Sequence, residues 1–189
     1  MARVFDSGEN FHSLRIDPYL LATAARHPDL APAIESIAEV TFGTLKALVH
    51  GDVSPKNIMA GPRGPVFLDA ECAWYGDPAF DWAFCLNHFL LKCVARPASA
   101  RDFIACFNSF SESYLSAVDW EPRPESEARC ARLLPVLFLA RVDGKSPVEY
   151  VTEDEDRERV RGVARWLILR PQTEVSAVAL QWLNAVTGF

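Results

Sequence analysis

His50-Gly51-Asp52 stands a short loop ahead of Asn57, and an apolar run, Val66-Phe67-Leu68, ends in Asp69-Ala70-Glu71. Carboxylates and an amide in this order suit phosphoryl transfer. That reaction asks for a carboxylate beside the attacking hydroxyl and for cations that neutralise charge on the moving phosphate. Asp52 could receive the hydroxyl proton. Asn57 and Asp69 could hold a magnesium ion, which prefers hard oxygen ligands of a kind that would not select zinc. The plainer alternative makes Asp52 only a turn-former beside Ser54-Pro55. Against it stands Glu71, because neighbouring carboxylates at the end of an apolar strand are costly to bury without a cation.

Short strands in a mostly helical chain must position these groups. Ala47-Leu48-Val49 leads into His50, and Ile58-Met59 and Val66-Phe67-Leu68 read as strands joined by a tight turn over Gly61–Pro65. Asp17-Pro18 and Asp77-Pro78 each read as a helix start, and Pro28 closes the first of these helices near His27. Apolar spacing predicts a helix over 31–46, with Ile34, Ile37, Ala38, Phe42 and Leu45 inward, and others over 99–118, 125–142 (bent at Pro135) and 174–186. The helix after Asp77 is apolar nearly all round, which makes it the buried centre. Thr152 and Glu155 form a capping-box pattern for a helix reaching Leu169, with Val160, Val163, Ala164, Leu167 and Ile168 as its inner stripe. Residues 1–10 read as irregular. The expected fold is α+β, mostly helical, in a single domain over residues 1–189.

Composition narrows the partners. The chain has 189 residues, half of them apolar, with a formal charge of −6. That balance argues against a nucleic-acid surface, which would need a basic stripe, and the four lysines are scattered at Lys46, Lys56, Lys92 and Lys145. The most apolar run, Phe80–Val94, is interrupted by Asp81, Asn87, His88 and Lys92 and is too short to span a membrane. Met1–Asn10 has no apolar leader core. Five cysteines without a C-x-x-C pair read as free thiols, and a cytoplasmic location is expected.

The central stretch resembles the aminoglycoside phosphotransferase and choline kinase-like superfamily, the small-molecule branch of the protein-kinase fold. His50–Asn57 is similar to its catalytic loop, Asp69-Ala70-Glu71 to its metal-binding D-x-E, and Gly76-Asp77-Pro78 through Asp81 to the segment that follows. Ala140 to Pro147 resembles a segment of bacterial members whose substrates are unassigned. The likeness is expected to cover most of the chain, as the C-terminal helical lobe of a kinase-like fold. It implies ATP as phosphoryl donor, Mg2+ as cofactor and a small-molecule hydroxyl as acceptor. It makes Asp52 the catalytic base, Asn57 and Asp69 the magnesium ligands, and Glu71 a direct or outlying partner of the metal. His50 becomes a structural support of the loop and Asp81 its anchor from the buried helix, the alternative being an early-turn carboxylate favoured by the helix dipole. Lys56 is either a phosphate contact or a solvated loop lysine.

Gly51 stands where protein kinases usually carry an arginine that pairs with a phosphorylated activation loop. Only Ala70–Gly76 separate Asp69 from Asp77, which leaves no room for such a loop. Trp74, Tyr75 and Trp82 fit core positions better than a substrate pocket. The acidic run Glu153–Asp156 fits the first turn of a helix better than a site for a cationic substrate.

Enzymes of this kind also carry a β-rich small lobe with a glycine-rich loop and a strand lysine. The 49 residues ahead of His50 read as helices and contain no such motif. The expectation is therefore a large lobe with its N-terminal lobe absent or supplied separately. Two functions follow: a phosphotransferase lobe weakly active alone, or an inactive kinase-like lobe serving as a binding module. A plain helical scaffold whose carboxylates bind a divalent metal is a third.

Overall fold

A computed structural model describes residue 5 and residues 7–187. Helix α1 (Gly8–Phe11) runs through a π-helical stretch (His12–Leu21) into α2 (Ala22–Arg26). The first helix thus begins ahead of Asp17-Pro18, and residues 8–10 are helical rather than irregular; Met1–Val4 and Asp6 lie outside the described residues. Proline is tolerated here because the π-helical stretch has already left the i→i−4 ladder that its missing N–H would break. The Pro18 carbonyl accepts a hydrogen bond from the Lys145 amide at 3.1 Å.

Helix α3 (Ala31–Gly43) ends three residues earlier than its apolar spacing suggests. Ile34, Ala38 and Thr41 face inward, whereas Phe42 and Leu45 are exposed. Strand β1 (Ala47–Val49) pairs antiparallel with β4 (Trp74–Gly76), in the register Ala47↔Gly76 and Val49↔Trp74. Strands β2 (Ile58–Gly61) and β3 (Gly64–Phe67) form a hairpin with Ile58 opposite Phe67. Its connection, Pro62-Arg63, is shorter than the turn expected from sequence, and β4 was not expected at all.

Helix α4 (Ala79–Ala95) is the centre of the molecule, buried on almost every side and packed against α5 (Ala100–Ala117) and α6 (Arg123–Asp143). Trp82 and Trp74 are core residues. Helix α7 (Asp154–Leu169) packs on α6 through the five residues of the expected stripe, all of them buried. Each large side chain fully buried in this way contributes roughly 1.5–3 kcal/mol. The capping box does not form. Glu153 is the N-cap but makes no side-chain bond to the helix amides, and the Thr152 hydroxyl donates to Glu153 Oε1. Asp154, Glu155 and Asp156 pair along the helix with Arg157 and Arg159, so the acidic run is a helix terminus. Helix α8 (Val175–Thr187) docks on α4, where Trp182 Nε1 donates to the Leu90 carbonyl at 3.0 Å.

The segment from Ala140 to Pro147 ties the two ends of the fold together. Asp143 accepts a forked pair of bonds from Arg161 on α7 and sits 2.9 Å from His27 Nε2 at the end of α2. Burial pushes its carboxyl up, but those bonds from Arg161 and His27 hold it below the usual range. All five cysteines are free; Cys72, Cys85, Cys93 and Cys130 are buried and Cys106 is exposed. No helix among the described residues is long and apolar enough to cross a membrane.

Candidate active site

Strand β1 delivers the chain to His50, where the loop is held by its own amides. The Asp81 carboxylate, in the first turn of α4, accepts from His50 N at 2.7 Å and from Gly51 N at 2.8 Å. Burial outweighs the pull of the two amides and the His50 ring and, with repulsion from Asp52, leaves this carboxyl raised to about 6. The His50 ring turns back on the loop, its Nδ1 accepting from the Asp52 amide at 3.2 Å. Its Nε2 is buried without a partner among the described residues.

Gly51 has a backbone that a side chain could not share. Its φ is +81°, and a Cβ there would lie 2.7 Å from both Cβ and O of Cys72. Left-handed geometry and close approach both require glycine at this point. Gly51→Ala is expected to lose about 1–3 kcal/mol of stability and to shift the loop against Cys72. Urea denaturation measures the first effect, and the Asp52 and Asn57 amide chemical shifts report the second.

Asp52 is buried with Arg15, which no sequence signal singled out. Arg15 Nε donates to the Gly51 carbonyl at 2.5 Å, and its Nη2 lies 3.2 Å from Asp52 Oδ2. Arg15 comes from the π-helical stretch, so that irregular helix orients the loop's carboxylate. Asn57 is also buried and donates from Nδ2 to the Asp52 carbonyl at 3.1 Å. Its own carbonyl accepts from the Leu68 amide at 2.9 Å, which extends the hairpin by one pair and sets Asp69 close to the same end. Asp69 has φ +65°, a strained value for a residue other than glycine. Its side chain and that of Glu71 are exposed, with no hydrogen bond or ion pair among the described residues. The Cys72 thiol senses the whole group: burial pushes it up, Arg15 opposes this, and Glu71, Asp52 and Asp69 add to it.

The donors suit one kind of metal. Among the described residues no three His, Cys, Asp or Glu side chains cluster as a metal cage. Among the described residues Asn57 Oδ1 and the Asp69 carboxylate are hard oxygens without a hydrogen bond, with Glu71 two residues on. An incomplete oxygen set fits magnesium, which is bound through one or two carboxylates, keeps several waters and takes substrate phosphates as its other ligands. Lys56 is exposed and lines a cleft with His88, Lys92 and Arg141, beside the loop.

The segment leading into α4 is clamped. Asp77, 1% exposed, accepts Arg129 Nε at 2.9 Å and Arg129 Nη2 at 3.1 Å, and caps the Ala79 amide at 3.0 Å. Arg129 also reaches Glu121 Oε1 at 2.6 Å.

A loop anchored by Asp81 thus presents Asp52 and Asn57 beside an exposed D-x-E. The model of the phosphotransferase enzyme family matches residues 9–103. The chain belongs to that family. A comparison with curated proteins finds no match. The family match covers about half of the chain rather than most of it. It contains Arg15, His50, Asp52, Lys56, Asn57, Asp69, Glu71 and Asp81, whereas Arg129, Arg141 and helices α6 to α8 lie beyond it.

Proposed function

We propose that this chain is the helical, C-terminal lobe of a kinase-like phosphotransferase that moves a phosphoryl group from ATP to a hydroxyl of a small molecule. What supports this best is the placement of Asp52, buried against Arg15 at the mouth of a loop that Asp81 fixes by both amides. Arg15 engages Oδ2, which leaves Oδ1 to accept the proton of the acceptor hydroxyl. Arg15 orients this carboxylate, and Asn57 Nδ2 holds the backbone behind it. Magnesium would be held by Asn57 Oδ1 and Asp69, with Glu71 beside them, and when bound would neutralise charge on the transferred phosphate. The free thiols suit a reducing cytoplasm. The test is magnesium- and ATP-dependent phosphorylation of small alcohols, compared between the wild type and Asp52→Asn.

No strand precedes Ala47 among the described residues, and the sequence has no glycine-rich phosphate cradle. No step of nucleotide binding is assigned to these residues, and the chain alone is expected to turn over slowly. One observation favours the second reading, a kinase-like lobe that works as an interaction module. Met59, Val66 and Phe67 on the hairpin are each about half exposed, and Leu68 directly after it is exposed as well. Apolar surface of this kind marks an interaction site, which a small lobe or another partner would cover. Sedimentation velocity is expected to show self-association that Met59→Thr with Val66→Thr relieves; a monomer at high concentration would count against this reading.

A further inference from the structure

We propose that the cleft beside the catalytic loop seats the acceptor and selects one that carries an anionic group, a carboxylate or a phosphate, in addition to the hydroxyl to be phosphorylated. This rests on the phosphotransferase reading above. The cleft holds about 350 Å³ and begins two residues after Asp52, at Ser54. Three cations from three separate elements line it: Lys56 of the loop, Lys92 of α4 and Arg141 of α6. None of the three is ion-paired among the described residues. In a chain of net charge −6, three unpaired cations around one cavity are a local field of the opposite sign.

The walls offer donors with nothing to bind. Ser54 is fully buried, yet among the described residues its hydroxyl has no partner, and neither has Arg141 Nε. Buried polar groups are rarely left so. The Arg141 guanidinium is held in place by Nη1, which donates to the Tyr19 hydroxyl at 3.1 Å and the Ser146 carbonyl at 2.7 Å. The Lys92 ammonium rests 4.6 Å from the Tyr150 ring centre, and that tyrosine's hydroxyl lies 2.8 Å from His88 Nδ1. Burial first, and then the charges of Arg141, Lys92 and Lys56, push His88 down to about 3, so the imidazole stays neutral at physiological pH. Glu149 is the one carboxylate in the lining. A cationic acceptor would meet three like charges, which is discrimination by repulsion as well as by attraction. Lys56 on this reading serves the acceptor and not the nucleotide.

The experiment titrates the full chain, without nucleotide, with D-glycerate, glycerol 3-phosphate, glycerol and ethanolamine, reading amide chemical shifts. The anions are expected to bind at least about tenfold more tightly than glycerol or ethanolamine. Lys92→Gln and Lys56→Gln are each expected to weaken anion binding about tenfold, the size of one lost charge-assisted bond. MgATP binding is expected to be unchanged in both variants. No preference for the anions overturns the proposal, and so does a loss confined to MgATP, which would give the cleft to the nucleotide's phosphates. Binding is read without turnover, so the two readings fail separately. Phosphorylation of neutral alcohols without anion preference sinks the anionic acceptor alone. Lysine-dependent anion binding in a chain that transfers no phosphoryl group keeps the anion site and sinks the phosphotransferase reading.

Discussion

Asp52→Asn is expected to lower the rate of phosphoryl transfer by about 10²–10⁴-fold, the usual contribution of a positioned general base. Asparagine keeps the shape of the side chain and an oxygen for Arg15, but it cannot take the acceptor's proton. It also leaves Arg15 buried without a counter-charge. That raises a competing explanation, in which the rate falls only because the loop loosens. Arg15→Met separates the two. It leaves the carboxylate buried and unpaired, a loss of about 3–5 kcal/mol when a buried pair is broken from one side, yet it keeps the base. A rate that collapses in Asp52→Asn at temperatures where circular dichroism shows it folded, and falls less in a more destabilised Arg15→Met, assigns Asp52 to the chemistry. Rates that track stability in both variants would make Asp52 a turn-former, and an Asp52→Asn protein as fast as wild type would leave the interaction-module reading in possession.

Arg129→Met is expected to lose about 3–5 kcal/mol of stability, against a total of about 5–15 for an ordinary domain. It strands two carboxylates, Asp77 and Glu121, at the point where the chain enters α4. Burial already pushes Asp77 up, with Arg129 pulling it back; burial also pushes Glu121 up, but there Arg129 prevails and holds it low. Without the guanidinium, burial pushes both carboxyls up with less opposition, and Asp77 rises further above its unfolded value. A carboxyl raised in the folded state takes up a proton on folding, so its contribution is favourable at low pH and is lost as pH rises through the folded value. The deficit of Arg129→Met is therefore expected to be largest near neutrality and to shrink as both groups protonate in acid. Urea midpoints of the two proteins, measured from pH 7 downwards, test the size and the slope together.

Where sequence reading succeeded, the signal was local or periodic. The α7 stripe repeats at helical spacing and is buried. The family was legible from the loop and the D-x-E, which lie inside the stretch that the family match covers. What escaped was set by distant partners. Arg15 reaches Asp52 across 37 positions and Arg129 reaches Asp77 across 52, and an arginine in a helix looks alike whether it meets solvent or a buried carboxylate. Strand β4 is three residues long, too short to show alternation, and exists because β1 offers it an edge. Pro18 carries the mark of a helix start, and only the π-helical stretch around it makes an interior position tolerable. The cleft was illegible for the same reason: Lys56, Lys92 and Arg141 belong to three elements that only the packed helices bring together.

The cysteines give the molecule a use at the bench. Burial pushes the Cys85 thiol up to about 12 and that of Cys93 up to about 11, and raises Cys72 and Cys130 as well. Thiol-directed reagents react with the thiolate, so these four are shielded both by chemistry and by access. Cys106, exposed on α5, is the remaining one. A maleimide fluorophore or a biotin linker would attach at one known position in the unmutated protein. Immobilised molecules would then all hang from α5 in a single orientation, and a surface sensor could follow acceptor capture with no engineered tag in the way.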